Sequence, residues 1–186
     1  MKIVQTDLGG VVIIEPDVFG DHRGYFMETY SLKKYVDHHI FSEFVQDNIS
    51  YSCQGILRGL HYQLKNPQAK LVQVLKGEVF DVAVDIRVGS PQFGKWTGAY
   101  LSEENKRQLY IPEGFAHGFC VTGDSALFHY KCSDYYTPID EHGILWSDPD
   151  LNIDWPIDSP VLSDKDIQYK MLKNSLLENL PLYNKV

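Results

Sequence analysis

The 186-residue sequence predicts an all-β fold, an antiparallel sandwich or barrel with a few short peripheral helices. Three observations lead there. Apolar residues recur with period two, the spacing that sets alternate side chains on one face of a strand. Clusters of Gly, Pro, Asp and Ser interrupt these runs at short intervals. Helical signal is weak and peripheral.

Taken in order, residues 11–15 and 25–30 form the first short strands, with the turn chemistry of Gly20-Asp21-His22-Arg23-Gly24 between them. Residues 31–39 make a short helix, and 57–63 read as strand. An apolar run at 71–75 is separated by the turn-like Lys76-Gly77-Glu78 from another at 79–86. There Phe80, Val82, Val84 and Ile86 alternate with Val79, Asp81, Ala83 and Asp85, which predicts one strongly apolar face. Further strands are expected at 96–101, 108–111, 115–121 and 126–132. Turns at Gly89-Ser90-Pro91, Pro112-Glu113-Gly114 and Thr122-Gly123-Asp124 divide them. Residues 147–160, rich in Pro and Asp, read as an irregular arm laid over the barrel. Ser163 caps a last helix through Lys165, Asp166 and Met171. No repeat or linker divides the chain, so residues 1–186 are expected to form one domain.

Composition narrows the function classes. The formal net charge is −8 and no Lys/Arg block is present, which argues against a nucleic-acid surface. A small anionic ligand needs only a few converging cations, and Arg23, Arg58, Lys70 and Lys165 are candidates. No apolar run reaches the length of a membrane span, and the N-terminus lacks the apolar core of a signal peptide. Cys53, Cys120 and Cys132 are odd in number and widely spaced, as expected of free thiols in a reducing cytoplasm. Trp96, Trp146 and Trp155 read as core or interface anchors. His22, His38, His39, His129 and His142 read as structural or solvated. His129 should point away from its strand neighbour Tyr130.

The chemistry concentrates in Arg58-Gly59-Leu60-His61-Tyr62-Gln63 and the following Lys70. A titratable base beside fixed positive charge is what proton abstraction next to a carbonyl requires. The second half answers with Ile111-Pro112-Glu113-Gly114-Phe115-Ala116-His117-Gly118. Gly59-Leu60-His61-Tyr62-Gln63 and Pro112-Glu113-Gly114-Phe115-Ala116-His117 resemble the two motifs of the cupin jelly roll. Metal-binding members carry His-x-His and a Glu in the first motif. Here Gln63 stands where the second His would be, leaving His61 and His117, one fewer than the three protein ligands of a catalytic metal site. Metal-free use of the pocket follows.

The resemblance then narrows to one family. Phe19-Gly20-Asp21-His22-Arg23-Gly24-Tyr25-Phe26, Phe44-Val45-Gln46-Asp47-Asn48 and the segments 57–63, 77–87, 105–119, 130–136 and 162–166 resemble the dTDP-4-dehydrorhamnose 3,5-epimerases, in order along nearly the whole chain. That resemblance implies a jelly-roll homodimer with exchanged N-terminal elements. It implies a dTDP-linked 4-keto-6-deoxyhexose inverted at C3 and C5, without metal or organic cofactor. It assigns His61 as the base, Lys70 to the C4 oxygen, Tyr130 as the opposite-face acid and Asp166 as the carboxylate paired with the histidine. Arg23, Glu28, Gln46, Asn48, Arg58, His117, Glu141 and Lys165 are implied to contact nucleotide or sugar. Phe19 and Phe26 could stack on the base or cover it from a neighbouring subunit.

Each residue also has a plainer reading. Taken alone, Lys70 is a solvated lysine between Ala69 and Leu71, Tyr130 is strand packing, and His117 is a core histidine. Arg23 is a solvated turn charge. Asp166 lies three residues after Ser163, the spacing of a capping box. Rival functions are a 3-epimerase performing a single inversion, a metal-dependent cupin enzyme, and a non-catalytic sugar-nucleotide binding module.

Overall fold

The structure is a computed structural model describing residues 1–183. The described residues form strands β1 (Lys2–Gln5), β2 (Val12–Glu15), β3 (Val18–Asp21), β4 (Gly24–Met27), β5 (Gln46–Cys53), β6 (Leu57–Gln63), β7 (Lys70–Asp85), β8 (Trp96–Ser102), β9 (Gln108–Ile111), β10 (Phe115–Cys132) and β11 (Glu141–Gly143). Two short helices, α1 (Leu32–Asp37) and α2 (Asp164–Ile167), lie outside the sheet. The fold is all-β, as expected.

Two long strands organise it. The first part of β7 pairs with β9 and its last part with β8, while β10 pairs with β5 over 125–132 and with β6 over 117–120. Because β7 and β10 pair along their whole length, both cross from one layer of a sandwich into the other. One layer runs β1-β2-β9-β7-β10-β5 and the second runs β8-β7-β10-β6-β11. The hairpin of β3 and β4 stands apart as its own two-stranded sheet.

Lys76-Gly77-Glu78 and Thr122-Gly123-Asp124, expected as turns, instead mark where these strands bend. The register of β7 against β10 shifts between Val121 and Ala126, the bulge through which a strand changes direction without ending. Gly77 makes the crossing feasible. Its φ is +81°, and a Cβ there would lie 1.7 Å from the Ser125 carbonyl oxygen.

Apolar burial follows the two layers. Val72, Val74, Leu109 and Phe128 of one layer pack against Ala83, Leu101, Phe119 and Val121 of the other. The outer face of the second layer carries Phe80, Val82, Val84 and Ile86, covered by Trp146 and by Leu151, Ile153 and Trp155 of the expected irregular arm. Both faces of the 79–86 segment are therefore buried, and Asp81 and Asp85 are fully enclosed rather than solvated. Helix α1 covers Val12, Ile14 and Leu71 with Tyr35.

Four strands escaped the sequence reading, among them the three-residue β11 (Glu141–Gly143). β1 and β3 are four residues each, and β5 (QDNISYSC) is mostly polar because one of its faces lines a pocket and the other is open. Helix α2 stops at Ile167, short of Met171. The chain beyond it is drawn into extended pairing, with a bridge between Ile144 and Lys170.

Candidate active site

A cavity of about 290 Å³ opens between the layers, with Phe119 and Phe128 of the central core in its wall. It gathers His61, Lys70, Tyr130, Gln46, Asn48, Arg58, His117 and Glu141. Gln63 of the His61 motif lines it too, as do Gln68, Cys132 and Tyr136, which no sequence argument had placed there.

Local backbone explains how Arg58 and His61 share a face although they are three positions apart, an odd spacing that alternation forbids. His117 pairs with His61 and Phe119 with Arg58, so β6 holds one residue more than β10 across this interval. The bulge returns His61 to the inner face while Leu57, Leu60 and Tyr62 pack outward. It needs glycines: a Cβ on Gly59, whose φ is +130°, would sit 2.5 Å from Gly118 Cα. The bulge sequence is Arg58-Gly59-Leu60-His61.

The imidazole of His61 is held from behind. Its Nε2 lies 2.5 Å from Asp166 Oδ1. Burial works to raise the Asp166 pKa, but the hydrogen bond and charge of His61 outweigh it and keep the carboxyl below its ordinary range. An ionised Asp166 therefore accepts Nε2–H, which leaves Nδ1 with a free lone pair. Nδ1 is 3.9 Å from Glu141 Oε1. The capping expectation for Asp166 is met as well, since its backbone N–H donates to Ser163 Oγ at 3.2 Å. Neighbouring Lys165 donates to Glu141 Oε1 at 2.6 Å, and Tyr136 Oη donates to Glu141 Oε2 at 2.6 Å. Against the opposing effect of burial, these bonds hold the Glu141 pKa low, and the Tyr136 phenol is pushed up to about 12 by its bond to Glu141.

Lys70 begins β7 and faces inward with Val72 and Val74, opposite Cys132 of β10. Burial lowers its pKa, partly offset by Cys132, Glu141 and Asp81. None of the ion pairs among the described residues includes it. Its charge is thus free to face a ligand. His117 Nε2 meets both carboxylate oxygens of buried Asp81, at 2.9 and 3.0 Å. Burial lowers the His117 pKa and raises that of Asp81. His117 is therefore both pocket lining and core-anchored, which joins its two readings.

Tyr130 stands on the other layer, facing the His61 wall. Burial and the nearby Cys132 raise its pKa while Arg58 opposes them, so the phenol stays protonated at neutral pH. Its neighbour His129 points outward to Gln73, as alternation requires. Arg58 Nε donates to Ser52 Oγ at 3.0 Å, and Gln46 Nε2 donates to Asn48 Oδ1 at 3.0 Å. Among the described residues, no three His, Cys, Asp or Glu side chains converge in metal-binding geometry.

Of the expected site residues outside the lining, Asp166 and Lys165 stand behind it against His61 and Glu141, and four others are not brought to this pocket. Phe19 and Phe26 lie on the β3–β4 hairpin and are 65% and 69% exposed. Arg23 at its tip is paired with Asp21, and Glu28 with Lys34 at 2.8 Å. Among the described residues the hairpin pairs with no other strand, and none of these four side chains lines the cavity.

A family profile described as dTDP-4-dehydrorhamnose 3,5-epimerase matches residues 5–174. The protein of that name from Shigella flexneri is 58% identical over 171 residues, 90% of this chain and 93% of that protein. Among solved structures, the dTDP-6-deoxy-D-glucose-3,5-epimerase RmlC of Legionella pneumophila Philadelphia 1, in complex with dTDP-4-keto-L-rhamnose, superposes with a TM-score of 0.97. It is 53% identical, and 99% of each chain is covered. ChmJ, a 3'-monoepimerase from Streptomyces bikiniensis in complex with dTDP-quinovose, is similar at a TM-score of 0.89 and 34% identity, covering 96% of this chain and 92% of its own.

Proposed function

The chain belongs to the dTDP-4-dehydrorhamnose 3,5-epimerase family, and on that premise we propose that it inverts C3 and C5 of dTDP-4-dehydro-6-deoxy-D-glucose to give dTDP-4-dehydro-L-rhamnose. One observation carries the reading. The His61–Asp166 pair and the protonated Tyr130 stand on facing layers of one pocket, with the unpaired Lys70 in its wall.

Protons at C3 and C5 are acidic because each carbon flanks the C4 ketone. His61 Nδ1 takes one, and the electron pair of the broken C–H bond moves to the C4 oxygen as an enolate. Lys70 stabilises that developing charge, in a setting where a fixed cation needs little reorganisation. Asp166 stabilises the imidazolium that forms. Tyr130 then returns a proton to the opposite face, and Arg58 steadies the phenolate left behind. Each inversion loads His61 and empties Tyr130, so both must exchange with solvent before the next. Arg58 suits the diphosphate because its planar fork matches paired oxygens. Gln46 and Asn48 offer the donors and acceptors that a pyrimidine needs.

The same proposal covers the hairpin. A homodimer with exchanged N-terminal elements would carry Arg23, Glu28, Phe19 and Phe26 into a partner's pocket. Two features support it: the hairpin's exposed aromatics, and the open face of β5, where Ile49 and Tyr51 are each 62% exposed. Free cysteines, including exposed Cys53, support a cytoplasmic setting, and no helix among the described residues is long and apolar enough to cross a membrane.

The test is solvent exchange. In deuterated water the substrate should gain deuterium at C3 and C5, with L-configured product by NMR, and His61→Asn should stop both. Exchange that persists in that variant removes His61 as the base. The fold shared with a 3'-monoepimerase gives the second reading: deuterium and inversion confined to C3 would establish it.

A further inference from the structure

The hydrogen bond from His61 to Asp166 restrains one nitrogen of the imidazole, and Nε2 lies close to the axis about which the ring turns. The tilt that aims Nδ1 into the pocket needs a second restraint. Tyr169 supplies a surface for it: its ring meets that of His61 edge-on, with centroids 5.8 Å apart and planes at 71°.

The placement of Tyr169 is itself built in. Gly143 of β11 pairs with His61 of β6. Next to it, Ile144 bridges Lys170 and Leu145 N–H donates to the Lys170 carbonyl, fixing the backbone on both sides. The tyrosine ring fills the space over Gly143, where a Cβ would lie 2.2 Å from Tyr169 Cε2. The phenol is buried yet has no hydrogen-bond partner among the described residues, although burial, Glu141 and Asp166 all raise its pKa. A phenol with no hydrogen bond acts here through its ring. Tyr169 does not line the pocket, so a ligand there need not touch it.

We infer that Tyr169 is a positioning residue, braced over Gly143, that fixes the plane of the His61 imidazole so that Nδ1 faces the substrate carbon. The inference rests on the epimerase reading and adds to it a residue that acts only through His61.

Tyr169→Phe, Tyr169→Ala and Gly143→Ala separate the possibilities. Misplacement of a reacting group by about 1 Å costs on the order of 100-fold, so Tyr169→Ala should lower kcat by roughly 10- to 100-fold. KM and affinity for dTDP should stay near wild type. Tyr169→Phe, which keeps the ring, should restore kcat, and Gly143→Ala should reproduce the defect by displacing the ring with Tyr169 intact. Wild-type kcat in both Tyr169→Ala and Gly143→Ala overturns the inference, as does a loss that follows dTDP affinity or one that Tyr169→Phe shares. Should Tyr169→Ala not fold, Gly143→Ala decides alone. The ligand-free protein gives a readout independent of the reaction. The imidazole N–H proton of His61 should be protected from solvent exchange in wild type and Tyr169→Phe and lost in Tyr169→Ala; equal protection in all three overturns the placement. An inactive wild type with that pattern intact would sink the epimerase reading alone.

Discussion

Replacing Asp166 by Asn isolates the electrostatic part of the His61 pair. The two side chains have nearly the same shape, and the Asp166 backbone can keep its bond to Ser163, so the fold should survive. What is lost is the negative charge facing an imidazolium once the proton has been taken. Asp166 is 2% exposed. For charge centres about 4 Å apart at an effective dielectric near 20, the attraction is about 4 kcal/mol. That corresponds to roughly three decades in rate. The asparagine carbonyl can still accept Nε2–H, so a fall in kcat on the order of 10²- to 10³-fold is expected. KM should hardly move, because Asp166 does not line the pocket.

The assay is the initial rate of deuterium entry at each carbon, measured at saturating substrate with circular dichroism as a check on folding. A variant within tenfold of wild type, or one impaired mainly in KM, would refute the reasoning. The carboxyl has a second signature. Its folded-state pKa is held low, so the stability it contributes is present above the ordinary Asp value of about 4 and is lost as pH falls through the depressed value. Acid denaturation of Asp166→Asn should lack that contribution.

Lys70→Met should abolish most of the activity yet raise the melting temperature. Burial lowers the Lys70 pKa, so its charged form costs stability at neutral pH, and that cost disappears as pH rises past the folded value; calorimetry beside turnover checks both halves. Tyr130→Phe should still abstract protons but not complete inversion, so deuterium would return to the original face; retained inversion would remove Tyr130 as the acid. Gly77→Ala combines a positive φ with a clash against the Ser125 carbonyl, and should destabilise by on the order of 3 kcal/mol in denaturant titration.

Much of this was legible in the residues. Alternation located the long apolar strands because their faces are sorted between core and cover. It failed where a strand serves two layers: Lys76-Gly77-Glu78 has turn composition, yet a bulge with one glycine bends β7 and keeps it paired. It failed again at β5, whose polar residues face a cavity instead of a core. Asp81 shows the limit most clearly. Alternation set it on the less apolar face of its strand, but that face is the inner one, and only the cross-strand register reveals His117 as its partner. Tyr169 gave no signal either, because its contact with His61 depends on a glycine 26 residues earlier in the chain.

The buried charges divide into two kinds, and the division locates the chemistry. Asp140 accepts the N–H groups of Lys65 and Asn66 and thereby folds their loop. Asp148 accepts from Leu172 and Asp150, and Asp85 from Arg87 and Ser90. These carboxylates are saturated, as buried polar groups must be when their task is to hold a fold. Around the cavity the rule is broken: among the described residues, Lys70 enters no ion pair, the enclosed Ser50 hydroxyl has no partner, and His61 keeps one nitrogen unbonded. Such groups weaken the free protein, because desolvation is not offset by bonding. A ligand with a ketone oxygen and acidic neighbouring carbons supplies what Lys70 and His61 lack. Polar incompleteness gathered in this pocket, and in the Tyr169 phenol packed behind His61, therefore marks where binding, rather than folding, was to complete the structure.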